Sequence, residues 1–162
     1  SFGAQGDYSS KLSGNANVGY SVQNYDNSNM SKQDNLVTGI GLDWKYNSKT
    51  SFNFNLNRAF SPSAQGFSTF STMVRLSATH RLTEDVSSTA YFSVGKVEYT
   101  YPPSGQTARD SSSLKNYGAG VSLNKQISDR ISAGTGYDYT FVERASESYG
   151  RHLLRADIRG RF

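Results

Sequence analysis

Stretches of strict two-residue alternation fill this chain, and the connections joining them sort into long and short. The long ones span residues 26–35, 61–69, 102–112 and 143–150; the short ones span 47–50, 83–87 and 128–130. A pleated strand sends successive side chains to opposite faces, so each such stretch has one apolar and one polar face. Sorted connections are what a transmembrane β-barrel produces, with long polar loops outside and tight turns on the periplasmic side. A soluble antiparallel sandwich also alternates, but nothing in it separates its connections by length. It would also bury its large apolar side chains against a second sheet, whereas the other face here carries Gly, Ser, Asn and charge.

Composition agrees. With 35% hydrophobic residues and a mean hydropathy of -0.61, the chain is polar enough to suggest disorder, yet 13% of it is aromatic. Disordered chains lack aromatics. A barrel resolves the conflict, because only the outward half of each strand need be apolar and lipid takes the place of a core. A length of 162 residues suits one domain, residues 1–162, around a single enclosed interior. The absence of cysteine excludes a disulfide framework and any thiolate metal site. No apolar run approaches the roughly 20 residues of a spanning helix. Residues 1–8 lack the basic and hydrophobic parts of a signal peptide, which leads us to expect a mature or excised chain. The net charge of +4 is spread singly along the strands, so no nucleic-acid partner is expected.

The pattern predicts an all-β, up-and-down antiparallel barrel of eight strands over residues 11–162, after an N-terminal segment 1–10. An even number of strands puts both termini on one side, and pairing the first strand with the eighth removes the edges. The first strand, 11–25, sets Leu12, Ala16, Val18 and Tyr20 against Lys11, Asn15 and Asn17. The clearest sets Phe52, Phe54, Leu56 and Phe60 against Ser51, Asn53, Asn55 and Asn57. In the fifth, Ala90, Phe92 and Val94 share one phase while Tyr91, Val97 and Tyr99 lie in the other; a bulge near Gly95 would reconcile them. Aromatic residues are expected to form interfacial girdles: Trp44, Tyr46 and Phe52 at the short-turn end, with Phe60, Tyr137, Tyr139 and Phe141 mid-strand or toward the long loops.

The short turns repeat one pattern. Tyr46-Asn47-Ser48-Lys49-Thr50-Ser51 aligns with Leu82-Thr83-Glu84-Asp85-Val86-Ser87 and with Ile127-Ser128-Asp129-Arg130-Ile131-Ser132. An apolar residue precedes a small polar cap and two polar turn residues; a β-branched residue then restarts the strand before Ser. Leu42 to Ser51, then Asn57-Arg58-Ala59-Phe60-Ser61-Pro62-Ser63 with Gly66, and Ala78-Thr79-His80-Arg81-Leu82-Thr83, resemble the outer-membrane β-barrel porins of bacterial exopolysaccharide export clusters. The resemblance is best over residues 36–100. It implies a Gram-negative outer-membrane location and a link to polysaccharide export. Such porins are usually larger, so the chain is expected to be the C-terminal part of a longer barrel or a small relative. Ile158, Gly160 and Phe162 resemble the C-terminal signal read by the outer-membrane insertion machinery.

On these phases the lumen-lining charges are Lys11, Lys45, Arg75, Arg81, Arg155, Arg159 and Arg161 against Asp43, Asp138 and Asp157, a net positive interior. An eight-stranded barrel is just wide enough to be filled by side chains, where unpaired cations would be costly. Either the excess sits at wet rims, or the barrel is wider and water solvates it. A wide cationic channel would favour small anionic solutes, acidic polysaccharide included. A structural Arg–Asp ladder without transport is the alternative. The inward pairs Gly39/Gly41, Gly118/Gly120 and Gly134/Gly136 do not open a helix as a nucleotide fingerprint would; they give room to neighbours such as Arg75 or Tyr91. His80 and His152 belong to no triad context and lie at opposite ends, so neither catalysis, a metal nor a cofactor is expected. The expected partners are the lipid bilayer, the insertion machinery and an anionic solute or polysaccharide. Porin-like passage is the expected function; a plugged adhesive barrel with active loops and a non-conducting engineered or excised fragment are the alternatives.

Overall fold

A computed structural model of the chain describes residues 2–23, 33–62, 68–100, 113–144 and 147–160. Among them the chain forms nine strands and no helix: β1 (Phe2–Ser9), β2 (Leu12–Gln23), β3 (Gln33–Lys45), β4 (Thr50–Pro62), β5 (Ser68–Arg81), β6 (Val86–Thr100), β7 (Ser113–Ser128), β8 (Ile131–Glu143) and β9 (Ser148–Gly160). They make one antiparallel sheet in sequential order, with β1 and β9 as its edges. A sandwich would need a second sheet; the described residues have one.

Several expectations are corrected. Residues 2–9 are not a lead-in segment but a strand, paired with β2 from Phe2↔Val18 to Ser9↔Leu12. The count is therefore nine rather than eight, and Phe2 and Gly160 lie at opposite ends of the strands. The strand expected to close against the last one, β2, pairs with β1 and β3 instead, and the sheet is not closed. No bulge occurs at Gly95: β6 pairs in unbroken register with both neighbours. Val97 and Tyr99 simply stand on the polar face, while Lys96 and Glu98 end the apolar one and pair with each other at 2.5 Å. The last connection is also shorter than expected. Ser148 and Tyr149 already pair with Glu143 and Val142, leaving residues 144–147, where Arg144 N–H bonds the Glu147 carbonyl at 2.8 Å.

The repeated turn is built as its chemistry demands. Asn47 Oδ1 accepts from the backbone N–H of Lys49 at 2.9 Å and of Thr50 at 2.7 Å. Thr83 Oγ1 accepts from Val86 N–H at 3.1 Å, and Ser128 Oγ from Arg130 N–H at 3.4 Å. A fourth example joins β1 to β2, where Ser9 Oγ accepts from Lys11 and Leu12. Each cap satisfies turn N–H groups that the ladder leaves over.

The sheet is curled with its polar face inward. One cavity of about 660 Å³ at the short-turn end touches Lys45, Ser51, Thr79, Ser87, Asn124, Ser132 and Arg159, one from each strand from β3 to β9. Seven flat strands about 4.8 Å apart would spread these side chains over roughly 29 Å. Only a rolled sheet brings them round one space. The outer face carries rows such as Leu42–Phe54–Leu76–Phe92–Ala119–Tyr139, with no described protein layer upon it. Leu76 is 51% exposed and Leu154 80%; Val142, at 8%, is the one buried large apolar side chain among the described residues.

Asn47→Ala should cost about 1 kcal/mol, because two turn N–H groups lose their acceptor. Urea unfolding in detergent tests this, with Ser48→Ala, which makes neither bond, expected to be neutral.

Candidate functional site

Alternation and register together settle which charged residues share the concave polar face. Asp43, Lys45, Arg75, Arg81, Asp138, Arg155, Asp157 and Arg159 all stand on it. Lys11 lies in the β1–β2 turn, its carbonyl accepting from Lys45 N–H at 2.7 Å. Arg161 and Phe162 lie outside the described residues, as do Gly66 and the loop holding Pro102. Ile158 and Gly160 are in β9, on the apolar face.

The centre of the polar face is a network spanning β5 to β9. Tyr91 of β6 donates its O–H to Asp138 Oδ1 of β8 at 2.6 Å. It can do so because the residue between them in the cross-strand row is Gly120. A Cβ there would lie 2.5 Å from Tyr91 Cε1 and 2.6 Å from Asp138 Oδ1. The Arg75 guanidinium lies over the same ring, 3.8 Å from its centroid. Arg155 Nη2 approaches Asp138 Oδ2 at 2.7 Å. That contact is an ion pair rather than an aligned hydrogen bond, because Oδ2 is buried and receives no directed N–H. Asp138 is only 14% exposed, so its charge depends on these two partners.

The other glycine pairs serve the same purpose. Asn17 and Asn15 of β2 lie over Gly39 and Gly41, and Asp157 and Asn124 flank Gly134. Each pair sits beside a larger polar side chain from a neighbouring strand. Arg159 Nε bonds Asp157 Oδ2 at 3.0 Å, and Asn53 Nδ2 donates to Asp43 at 2.8 Å. The face is not polar throughout. Val97 pairs with Leu114, and Val142 with Tyr149, toward the long-loop end. Arg151, opposite Thr140, is a polar-face cation that the expected lining omits; it becomes visible once β9 is known to begin at Ser148.

On the apolar face the aromatic residues gather as groups. Trp44 stacks on its cross-strand partner Phe52 at 5.4 Å, and Tyr46 meets Trp44 edge-on at 5.4 Å, all at the short-turn end. Phe60 lies 5.1 Å from Phe70 at the other end, with Arg58 over the Phe70 ring. Phe141 faces Tyr117 at 6.3 Å. His152 accepts or donates at Tyr137 Oη, 2.7 Å away, and lies 4.9 Å from the Tyr139 ring. His80 meets Thr50 Oγ1 at 2.9 Å near the short turns. The histidines are thus separate, each held by one hydroxyl.

Gly120→Val should destabilise the sheet by about 1–3 kcal/mol through the clash with Tyr91 and Asp138. Measured in a double-mutant cycle by the same assay, Gly120→Val should cost less in a Tyr91→Ala background than in the wild type. An equal cost in both backgrounds would mean that the glycine does not make room for the tyrosine.

No curated protein and no solved structure matches the chain. A rolled sequential antiparallel sheet, polar within and apolar without, is the wall of a barrel, and the family model matching residues 1–162 agrees: the chain belongs to the family described as Putative beta-barrel porin 2.

Proposed function

We propose that this chain forms the wall of an outer-membrane pore that passes small or anionic solutes, its apolar face against lipid and its polar face around water. The observation carrying this reading is the pairing of a concave cationic face with a bare apolar one. An exposed face of Phe, Leu, Val and Tyr costs about 25 cal/mol per Å² in water and nothing comparable in hydrocarbon. Strands β2 to β9 run 12 to 16 residues, and a tilted strand of about 9–11 crosses a bilayer core. The groups around Trp44 and Phe60, at opposite ends of the apolar face, suit the two interfaces as girdles, with Tyr137, Tyr139 and Phe141 between them. Arg58, Lys96, Lys115 and Glu143 follow one another across the long-loop end of that face, where a charged row suits headgroups rather than hydrocarbon.

In this reading Asp43, Lys45, Arg75, Arg81, Asp138, Arg155, Asp157 and Arg159 line the lumen. Lumenal cations outnumber acids, so anions pass preferentially. Acidic polysaccharide is the larger solute that the exopolysaccharide-porin resemblance suggests. Ile158, Gly160 and Phe162 form the segment read by the insertion machinery. The protein is non-enzymatic and needs no cofactor.

A plugged barrel is the second reading, favoured by the Tyr91–Asp138–Arg155 bridge and by Val97 and Leu114 on the inner face. Planar-bilayer recording separates the two. The pore predicts discrete conductance steps and a reversal potential displaced toward the chloride potential under a KCl gradient. Silent bilayers despite verified insertion would favour the plug.

A further inference from the structure

We infer that the cavity at the short-turn end is a binding vestibule for linear oligo-anions, held there by Lys45, Lys49 and Arg81. This deepens the pore reading above and rests on it for its transport role, though not for binding itself.

Apart from Arg151 toward the long loops, the cations of the polar face fall into two groups, distinguished by what already occupies them. At mid-height, Arg75 lies on the Tyr91 ring at 3.8 Å and Arg155 pairs with Asp138 at 2.7 Å. Their charge is committed within the sheet. At the short-turn end, the 660 Å³ cavity is bounded by Lys45, Arg81 and Arg159 of the polar face and by Lys49 of the β3–β4 turn, facing Glu84 and Asp85 of the next turn. Arg159 has Asp157 at 3.0 Å. Among the described residues no carboxylate lies within ion-pairing distance of Lys45, Lys49 or Arg81. The structure thus collects three uncommitted cations around one water-accessible space.

Such a group focuses potential into the concavity and concentrates anions there. Ser51, Thr79, Ser132 and Asn124 border the same space with neutral polar groups. Lysine and arginine take carboxylate, phosphate and sulfate alike, so charge number and spacing, not headgroup identity, select the ligand. A single anionic group satisfies one or two cations; a linear oligo-anion satisfies several in one binding event, and the later contacts are intramolecular. The cavity is open, which suits fast capture and release rather than retention. The opposite end of the inner face offers Val97, Leu114 and Val142 with a single cation, Arg151, so the attraction is stronger at the short-turn end. Anions are gathered at the short-turn mouth.

Tripolyphosphate is the probe, titrated calorimetrically into the full chain refolded in detergent. We expect saturable binding that weakens as KCl rises, through screening. Lys45→Gln combined with Arg81→Gln should raise the dissociation constant about tenfold, and Lys96→Gln on the apolar face should leave it unchanged. Lys49→Gln, in an exposed turn, should weaken binding in the same direction and serves if Arg81→Gln disturbs β5. Absence of wild-type binding, or equal affinity in the wild type and these variants, overturns the vestibule. Binding by a chain that passes no current would overturn the pore reading and leave the vestibule standing; conduction without binding would do the reverse.

Discussion

Register is the constraint on which this molecule depends. Because side chains alternate with period two, slipping one strand by one residue would carry Phe52, Phe54 and Leu56 onto the polar face and Asn53 and Asn55 onto the apolar one. Among the described residues the pairing shifts at two places, between Asp7 and Ser9 and between Gln126 and Ser128, both beside short turns. Elsewhere it runs unbroken, so residues far apart in sequence stand in continuous rows. The capped turns set that register locally: each fixes where one strand ends and the next begins.

From the rows follows the chemistry of the inner face. Tyr91 reaches Asp138 across a whole strand because register puts Gly120 between them. A carboxylate as enclosed as Asp138 would be costly alone; the phenol and the guanidinium of Arg155 offset that cost. The same contacts use up charge that would otherwise face the interior. At the short-turn end no such partners stand opposite Lys45 or Arg81, and the charge remains available. One face thus combines a structural cross-link with an electrostatic surface, and their order along the strand gives the interior a direction.

Much of this was legible in the sequence. The alternating phases assign every described residue of the expected lining except Lys11, a turn residue, to the face it occupies, and the Trp44–Phe52 pairing follows from the hairpin. The first strand was missed because Gly3, Gln5, Gly6 and Asp7 offer weak strand propensity, and Phe2 and Ala4 give only a short apolar phase. Its signal was nonetheless present: Tyr8-Ser9-Ser10-Lys11-Leu12-Ser13 follows the repeated turn pattern, with Leu in place of the β-branched residue. The bulge at Gly95 failed for another reason. It assumed that Val97 and Tyr99 must seek the apolar face, whereas near the long loops Lys96 and Glu98 occupy that face and pair. The Tyr91 bridge could not be read at all, because it needs β6, β7 and β8 in known register. Nor could the length of the last connection, since residues 143–150 are polar enough for loop or strand.

The central claim, that water lies on one side of this sheet and lipid on the other, is most directly tested by single cysteines, since the chain has none. Asn55→Cys and Leu76→Cys, on opposite faces of β4 and β5, would be reconstituted separately in vesicles and exposed to a membrane-impermeant thiol reagent. The account predicts rapid labelling at Asn55→Cys and protection at Leu76→Cys, with a bilayer-embedded quencher reporting only a fluorophore attached at position 76. Protection of both sites in a monomer that stays dissolved without detergent, or equal labelling of both in vesicles, would contradict it.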